Sequence, residues 1–312
     1  MPRFIAIADT NFYRANTDLS LATLRNLEHR AKVKPIASFL ASSELLSHVA
    51  DPTTTHYRSC RAAVRRLFIH CRQRPHSESA LPIIAEPNGI LALTLFGRRH
   101  PNRFSLARSF GTLIRRVANA NADDQLSDIS PYLSRVRDHR DQIETQFVNS
   151  LETLRRQFGC DAALDSDFEL SQSPTPEEFL ASDEARIVCA SAMVMNAAAE
   201  HGITLDDSDL REGAKSILPE AAAAVHIYLE RLRKVLLERA SPKKQANFIW
   251  DIYFALLSGS RLSANQAPVL VISDDKEIKR ASSVVGGKSR VLTLNEYTEF
   301  LKRLAETSGQ SQ

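Results

Sequence analysis

Phe4-Ile5-Ala6-Ile7-Ala8 is a short, uninterrupted apolar run that stops at Asp9-Thr10-Asn11. The same pattern occurs near the other end of the chain, where Val269-Leu270-Val271-Ile272 stops at Ser273-Asp274-Asp275. Apolar runs without polar alternation are typical of parallel strands that are buried on both faces. Chemistry in α/β proteins is usually placed at the carboxyl ends of such strands. The two runs therefore predict a parallel sheet with acidic side chains at one edge.

Two further segments extend the predicted sheet, Lys34–Ser38 and Arg290–Leu294. Helical stretches separate the strands, which predicts right-handed βαβ units and an α/β sheet of four or five strands. Strand patterns are absent between residues 98 and 242, where long amphipathic helical stretches occur instead. We therefore divide the chain into a first α/β part (1–97), a helical insertion (98–242) and a second α/β part (243–312).

Composition limits the class of protein. The chain has 312 residues, of which 43% are apolar and 25% are charged, and its formal net charge is +3. We find neither an apolar run of about 18 residues nor a signal-peptide core, so we expect no membrane segment and a cytoplasmic location. Nucleic-acid affinity would have to come from local clusters of charge, because the net charge is small.

The cysteines form no C-x-x-C pair and are expected to be free, buried thiols; they are Cys60, Cys71, Cys160 and Cys189.

Four acidic residues are candidates for one site. Asp9 and Asp275 follow the two apolar strands, and Glu44 lies after the second strand, where a helix begins. Asp251 is the one acid in residues 247–257, a stretch that is apolar nearly all round and so typical of a buried helix. A lone buried carboxylate is unfavourable unless it is paired or bound to a metal. Asn247, one turn earlier on the same face, is expected to support it.

Carboxylates that are brought together repel one another, and a hard divalent cation such as Mg²⁺ or Mn²⁺ relieves that repulsion. The bound cation can then activate a water molecule and neutralise charge on a phosphate, which predicts phosphodiester hydrolysis. Of Asp274 and Asp275, we expect one to cap the helix from Lys276 and Asp275 to be the ligand. The predicted metal ligands are Asp9, Glu44, Asp251, Asp274 and Asp275, with Asn11, Ser273 and Asn247 in support.

The order of these motifs resembles that of PIN domains. Asp9-Thr10-Asn11 resembles their opening motif, and Glu44, after a proline-led strand, resembles their second acid. Asp251 and Ser273-Asp274-Asp275 resemble their third and fourth acids. The resemblance covers about residues 1–97 and 243–312 and implies a Mg²⁺- or Mn²⁺-dependent nuclease directed at single strands, most often RNA, with single-stranded DNA left open. The helical insertion has no counterpart in it and could bind substrate, a protein partner or an inhibitor.

Other interpretations remain open. Asp9 could simply cap a helix that starts at Asn11, and Glu44 could be exposed helix surface. A phosphohydrolase of the haloacid dehalogenase type also begins with an aspartate at a strand end, but it would want a second aspartate where Asn11 stands. The main functional alternative is a non-catalytic module that binds nucleic acid or protein on the same fold. A lysine or a salt bridge between the acids would favour that module.

A basic stripe is predicted on the helix within residues 57–74. At about 100° per residue, four arginines fall on one face of this helix: Arg58, Arg61, Arg65 and Arg72. We expect them to contact the phosphates of a nucleic acid, the alternative being a solvated basic surface. In the insertion, arginines and aspartates alternate around residues 135–141, a pattern that we interpret as ordinary surface pairing.

Overall fold

The structure is a computed structural model that describes residues 2–72, 81, 83–84, 87–97, 103–158, 174–259, 267–284 and 290–309. Its strands are β1 (Phe4–Ala8), β2 (Val33–Pro35), β3 (Ala37–Ser38), β4 (Ile83–Ile84), β5 (Val269–Ile272) and β6 (Val291–Leu292). Within the described residues, four strands form a parallel sheet in the order β2-β1-β5-β6, while β3 and β4 pair separately. The predicted parallel α/β sheet is therefore confirmed.

Two strand predictions need correction. The expected strand Lys34–Ser38 is divided at Ile36, so that β2 pairs with β1 and β3 pairs with β4. The expected strand Arg290–Leu294 is limited to the two residues of β6, because Thr293 already begins a helix: its hydroxyl accepts a hydrogen bond from the backbone N–H of Glu296. Turn and capping chemistry ends the strand earlier than the apolar pattern suggests.

The central strands explain why the apolar runs show no alternation. Ile5 to Ala8 and all four residues of β5 are buried. β1 lies between β2 and β5, in register with Ile5 opposite both Lys34 and Val269. Helices cover the sheet, so side chains on both of its faces must be apolar.

The α/β part contains eight helices within the described residues. They are α1 (Thr10–Ala15), α2 (Asp18–Ala31), α3 (Phe39–Val49), α4 (Tyr57–Cys71) and α5 (Pro87–Phe96), followed after the insertion by α11 (Phe248–Gly259), α12 (Lys276–Val284) and α13 (Leu294–Gly309). Polar residues start several of them. Thr17 forms a reciprocal capping box with Ser20 at α2, and the Ser38 hydroxyl accepts the Ala41 N–H at α3. α11 is buried, as its apolar sequence predicted.

The described residues of the predicted insertion are mainly helical, and they share one hydrophobic core with the α/β part. Its helices are α6 (Arg103–Asn119), α7 (Ser130–Gln157), α8 (Pro176–Ala181), α9 (Asp183–Glu200) and α10 (Asp207–Leu236). α7 packs on α3, and α10 packs on α9, α11 and α12. α10 contains Pro219 in its interior. Its capping residue Asp206 and the buried alanines after Pro219 stabilise a single long helix.

A buried polar network joins four helices of the α/β part. Glu28 in α2 accepts hydrogen bonds from His70 in α4, at 3.1 Å, and from the hydroxyl of Tyr297 in α13, at 2.7 Å. The Tyr13 hydroxyl in α1 lies 3.2 Å from Nδ1 of His70 and 3.4 Å from Sγ of Cys71. Burial lowers the pKa of His70, but the attraction of Glu28 outweighs it and the pKa rises to about 10. This network fixes α1, and with it the residues that follow β1.

Free, buried thiols are confirmed at Cys60, Cys71 and Cys189. The fourth cysteine, Cys160, lies outside the described residues. Among the helices that the structure describes, none is both long enough and apolar enough to cross a membrane.

Candidate metal centre

A cavity of about 340 Å³ lies beyond the carboxyl ends of β1 and β5. All four predicted catalytic acids line it: Asp9, Glu44, Asp251 and Asp275. Asn11 and Asn247, predicted to support the site, line it as well. The structure thus brings together residues that are separated by more than 200 positions in the sequence.

Asp9 occupies the end of β1 and has two hydrogen-bonded carboxylate oxygens. Its Oδ1 accepts the backbone N–H of Phe12 at 2.8 Å and caps α1, which begins at Thr10. Its Oδ2 accepts the hydroxyl of Ser273 at 2.5 Å. Burial raises the pKa of Asp9 to about 6, with a smaller contribution from Glu44, although both hydrogen bonds oppose the rise. The capping interpretation of Asp9 is therefore correct, and the capping residue still lines the cavity.

Ser273 connects the ends of the two central strands. Its hydroxyl donates to Asp9 and accepts the backbone N–H of Asp275 at 3.1 Å. Asp275 in turn caps α12, because its Oδ1 accepts the N–H groups of Glu277 and Ile278 at 2.7 and 3.1 Å. We expected capping and cavity lining to be divided between Asp274 and Asp275. The structure gives both to Asp275, while Asp274 is exposed and is not among the residues that line the cavity.

Glu44 reaches the cavity from α3. Its Oε2 accepts the hydroxyl of Thr10 at 3.0 Å, and the side chain is partly buried. Burial raises the pKa of Glu44, although Arg140 and the Thr10 hydroxyl act in the opposite direction. The alternative in which Glu44 is exposed helix surface is therefore wrong.

Asp251 reaches the cavity from α11. Burial, followed by the charges of Asp275, Glu44 and Asp9, raises its pKa to about 7, although Arg231 acts in the opposite direction. Arg231, from α10, forms its salt bridge with Glu277 rather than with Asp251. Among the described residues, none of the four acids forms a salt bridge, so the salt bridge that would favour a non-catalytic module is not found there.

The donor set suits a hard divalent cation, because carboxylate oxygens with raised pKa values gain most from a nearby positive charge. However, no three acidic, histidine or cysteine side chains among the described residues are close enough together to hold an ion. The predicted acids therefore share one cavity without forming a closed ligand cage. A cation would have to draw their carboxylates inward.

Two arginines and two histidines also line the cavity, and sequence reasoning missed them. Arg14 Nη2 donates to Nδ1 of His56 at 3.1 Å, and Arg140 Nη1 donates to Nε2 of His48 at 3.2 Å. All four residues line the cavity. Arg140 is therefore not the surface residue that we expected. A usable signal was present in the helical spacing: His48 lies four residues after Glu44, and Arg14 lies three residues after Asn11.

The predicted basic stripe lines a separate groove of about 910 Å³ between α4 and α6. All four arginines contribute to its lining: Arg58, Arg61, Arg65 and Arg72. Arg61 is already engaged, because it forms a salt bridge with Asp123 and donates to the carbonyl of Ala120 at 2.8 Å. Arg65 lies 3.9 Å from Asp18, a weak and exposed pair.

Successive residues at the start of α4 line the acidic cavity and the groove. His56 lines the cavity, and the next residue, Tyr57, lines the groove.

Comparison with family models, with curated proteins and with solved structures gives no match to this chain. The PIN resemblance therefore rests on the motifs and on their placement in the sheet.

Proposed function

We propose that this chain is a divalent-metal-dependent endoribonuclease of the PIN-like kind, which hydrolyses phosphodiesters of single-stranded RNA. One observation carries the proposal: the four acids selected from the sequence line the same cavity beyond the central strands. A structural role alone gives no reason for Asp251, on a buried helix of otherwise apolar character, to point into that cavity without a salt bridge.

The elevated pKa values support a cation at this site. Asp9 and Asp251 have pKa values of about 6 and 7, because burial and neighbouring acids disfavour their charged forms. When bound, Mg²⁺ or Mn²⁺ would stabilise the carboxylates, lower the pKa of a water nucleophile and neutralise phosphate charge. Asp9, Glu44, Asp251 and Asp275 would hold it. Ser273 orients Asp9 and the backbone of Asp275, and the helix caps fix both carboxylates.

The adjoining groove supports a polymeric, anionic substrate. Arg58, Arg65 and Arg72 line it, and its lining residue Tyr57 directly follows His56, which lines the cavity. Arginines that line a groove attract the phosphates of a nucleic acid without regard to its sequence. A strand in the groove would be directed toward the acids. Single-stranded DNA remains the alternative substrate, since phosphate contacts alone do not distinguish it from RNA.

The test is incubation of the purified protein with labelled single-stranded RNA and DNA, with Mn²⁺ or with EDTA. We expect cleavage of RNA that requires Mn²⁺ and is abolished by Asp275→Asn. Asp141→Asn, at an exposed position of α7, is the matched control and should cleave as the wild type does. Absence of Mn²⁺-dependent cleavage by the wild type would refute the proposal.

A second candidate is a non-catalytic module that binds nucleic acid on this fold. The observation that favours it is the lack of three metal-ligating side chains within reach of one ion among the described residues. This module would bind single-stranded RNA equally well in Mn²⁺ and in EDTA and would leave it intact. Its melting temperature would also be insensitive to millimolar Mn²⁺.

A further inference from the structure

Groups of opposite charge line the candidate metal centre. The acids Asp9, Asp251 and Asp275 share its lining with Arg14 and Arg140. Both guanidinium groups act to lower the pKa of Glu44, yet the hydrogen bond that Glu44 accepts comes from Thr10. The two arginines therefore face the site without being paired to its acids.

The charge of Arg14 is left without a carboxylate partner. Within the described residues its side chain has one hydrogen-bond partner, Nδ1 of His56 at 3.1 Å, and forms no salt bridge. Since an arginine cannot act as the acceptor, the ring nitrogen of His56 must accept this bond. His56 thus orients the guanidinium without neutralising it.

Arg140 is held in place by several groups. Its Nε pairs with Glu144 at 2.9 Å, and Glu144 also accepts the indole N–H of Trp250 at 2.8 Å. Its Nη1 donates to the Ser47 hydroxyl and to Nε2 of His48, both at 3.2 Å. These contacts tie α7 to α3 and α11, so the position of the Arg140 guanidinium is fixed before any ligand binds.

The imidazoles of His48 and His56 lie side by side, with ring centroids 5.6 Å apart. Each accepts a hydrogen bond from one arginine, so the four side chains form a continuous row along the cavity. A guanidinium that is preoriented and has no carboxylate partner, as in Arg14, binds phosphate oxygens well, because its planar arrangement of N–H donors matches the oxygens of the anion. The row has the composition of an anion site.

We propose that Arg14 and Arg140, oriented by His56 and His48, bind a backbone phosphate of the substrate in the cavity that the acids also line. This inference rests on the proposed function only for the kind of molecule that carries the phosphate. The guanidinium charges would offset the repulsion between the phosphodiester and the acids. They would do so with or without a bound cation, so their contribution can be measured in EDTA.

The experiment measures binding of a short single-stranded RNA in EDTA, where metal-dependent cleavage cannot consume it. Arg14→Gln should weaken binding about tenfold and lower the slope of log affinity against log salt by about 0.7, as expected for one lost phosphate contact. Arg14→Lys keeps the charge but loses the planar set of N–H donors. Its affinity should therefore lie between those of the wild type and Arg14→Gln. Arg30→Gln, at an exposed position of α2 outside both cavities, is the control and should bind as wild type does.

Thermal melts of each variant verify folding, and Arg14 is chosen over the more embedded Arg140 for that reason. Wild-type affinity and salt slope in Arg14→Gln would overturn the inference, and so would a wild-type protein that binds no RNA. Cleavage in Mn²⁺ tests the nuclease separately. RNA binding that depends on Arg14, without any cleavage, would refute the nuclease and retain the phosphate site. Cleavage by a protein whose RNA binding does not depend on Arg14 would retain the nuclease and refute the phosphate site.

Discussion

Asp251→Asn should stabilise the metal-free protein at neutral and alkaline pH. A carboxyl whose pKa is higher in the folded state binds its proton more tightly there, so stability falls as the pH rises through that range. The pKa of Asp251 rises from 3.8 to about 7, mainly because of burial and then because of Asp275. At 1.36 kcal/mol per pH unit, this rise corresponds to at most about 4 kcal/mol. Because Asp251 is partly exposed, we expect about 2 kcal/mol after allowance for solvent screening.

The assay is urea unfolding in EDTA at intervals from pH 3 to pH 8.5. Near pH 3 the two proteins should have nearly equal free energies of unfolding, because Asp251 is protonated in both the folded and the unfolded wild type and the substitution removes no charge. The wild type should then lose stability relative to Asp251→Asn as the pH rises toward 7, and the difference should be constant above about pH 8. Asp141→Asn, on the surface of α7, should stay within about 0.5 kcal/mol of wild type throughout.

A variant that is less stable than wild type at pH 8 would refute this reasoning, since it would mean that the charged carboxylate stabilises the metal-free fold. A difference that did not vary with pH would also refute it. That result would assign the effect to packing or hydrogen bonding rather than to the ionisation of Asp251.

Further substitutions test individual residues of the cavity, the groove and the buried polar network. Mn²⁺ should raise the melting temperature of the wild type but not of Asp9→Asn, because Asn keeps the helix cap and loses the charge; equal shifts in differential scanning fluorimetry would contradict this. Arg58→Gln should weaken RNA binding and lower the salt slope by about 0.7, whereas Arg61→Gln should cost about 1–2 kcal/mol of stability, since its partners are Asp123 and Ala120. Glu28→Gln should cost about 3–5 kcal/mol in urea unfolding at pH 7, because it leaves buried His70 without its counter-ion; a neutral result would show that this pair is uncharged.

The sheet and its acidic edge were predictable because they depend on local patterns. Continuous apolar runs that end in acids indicate buried parallel strands, and Asp9 and Asp275 follow directly from them. The role of Asp251 was predictable for a different reason: the charge of one acid in an otherwise apolar helix has to be compensated by its surroundings.

Contacts between distant helices were not predictable in the same way. Arg140 belongs to a stretch of alternating charges that looks like any exposed helix face, and it is drawn into the cavity by Ser47, His48 and Glu144. The network of Glu28 and His70 was missed because its partners are dispersed over α1, α2, α4 and α13. Single-sequence patterns report which face of a helix is buried, but they do not report what it meets.

The choice between Asp274 and Asp275 shows a subtler difficulty. Adjacent acids at a helix start offer equivalent local chemistry, and we assumed that capping and lining the cavity would exclude each other. A carboxylate has two oxygens, and Asp275 uses only Oδ1 for the cap. The same residue can therefore close the helix and face the cavity.

The pairing of β1 with β5 has a consequence for how the chain folds during synthesis. Asp9 and Ser273, which end the two strands, are 264 residues apart. On a ribosome the first strand therefore emerges long before its central neighbour, and the helices of the insertion are made in between. Until β5 arrives, β1 has an unpaired edge that can associate with other chains. Such distant pairing is also slow, because loop closure must precede the stabilising contacts. We expect the growing chain to need protection from aggregation until β5 is released.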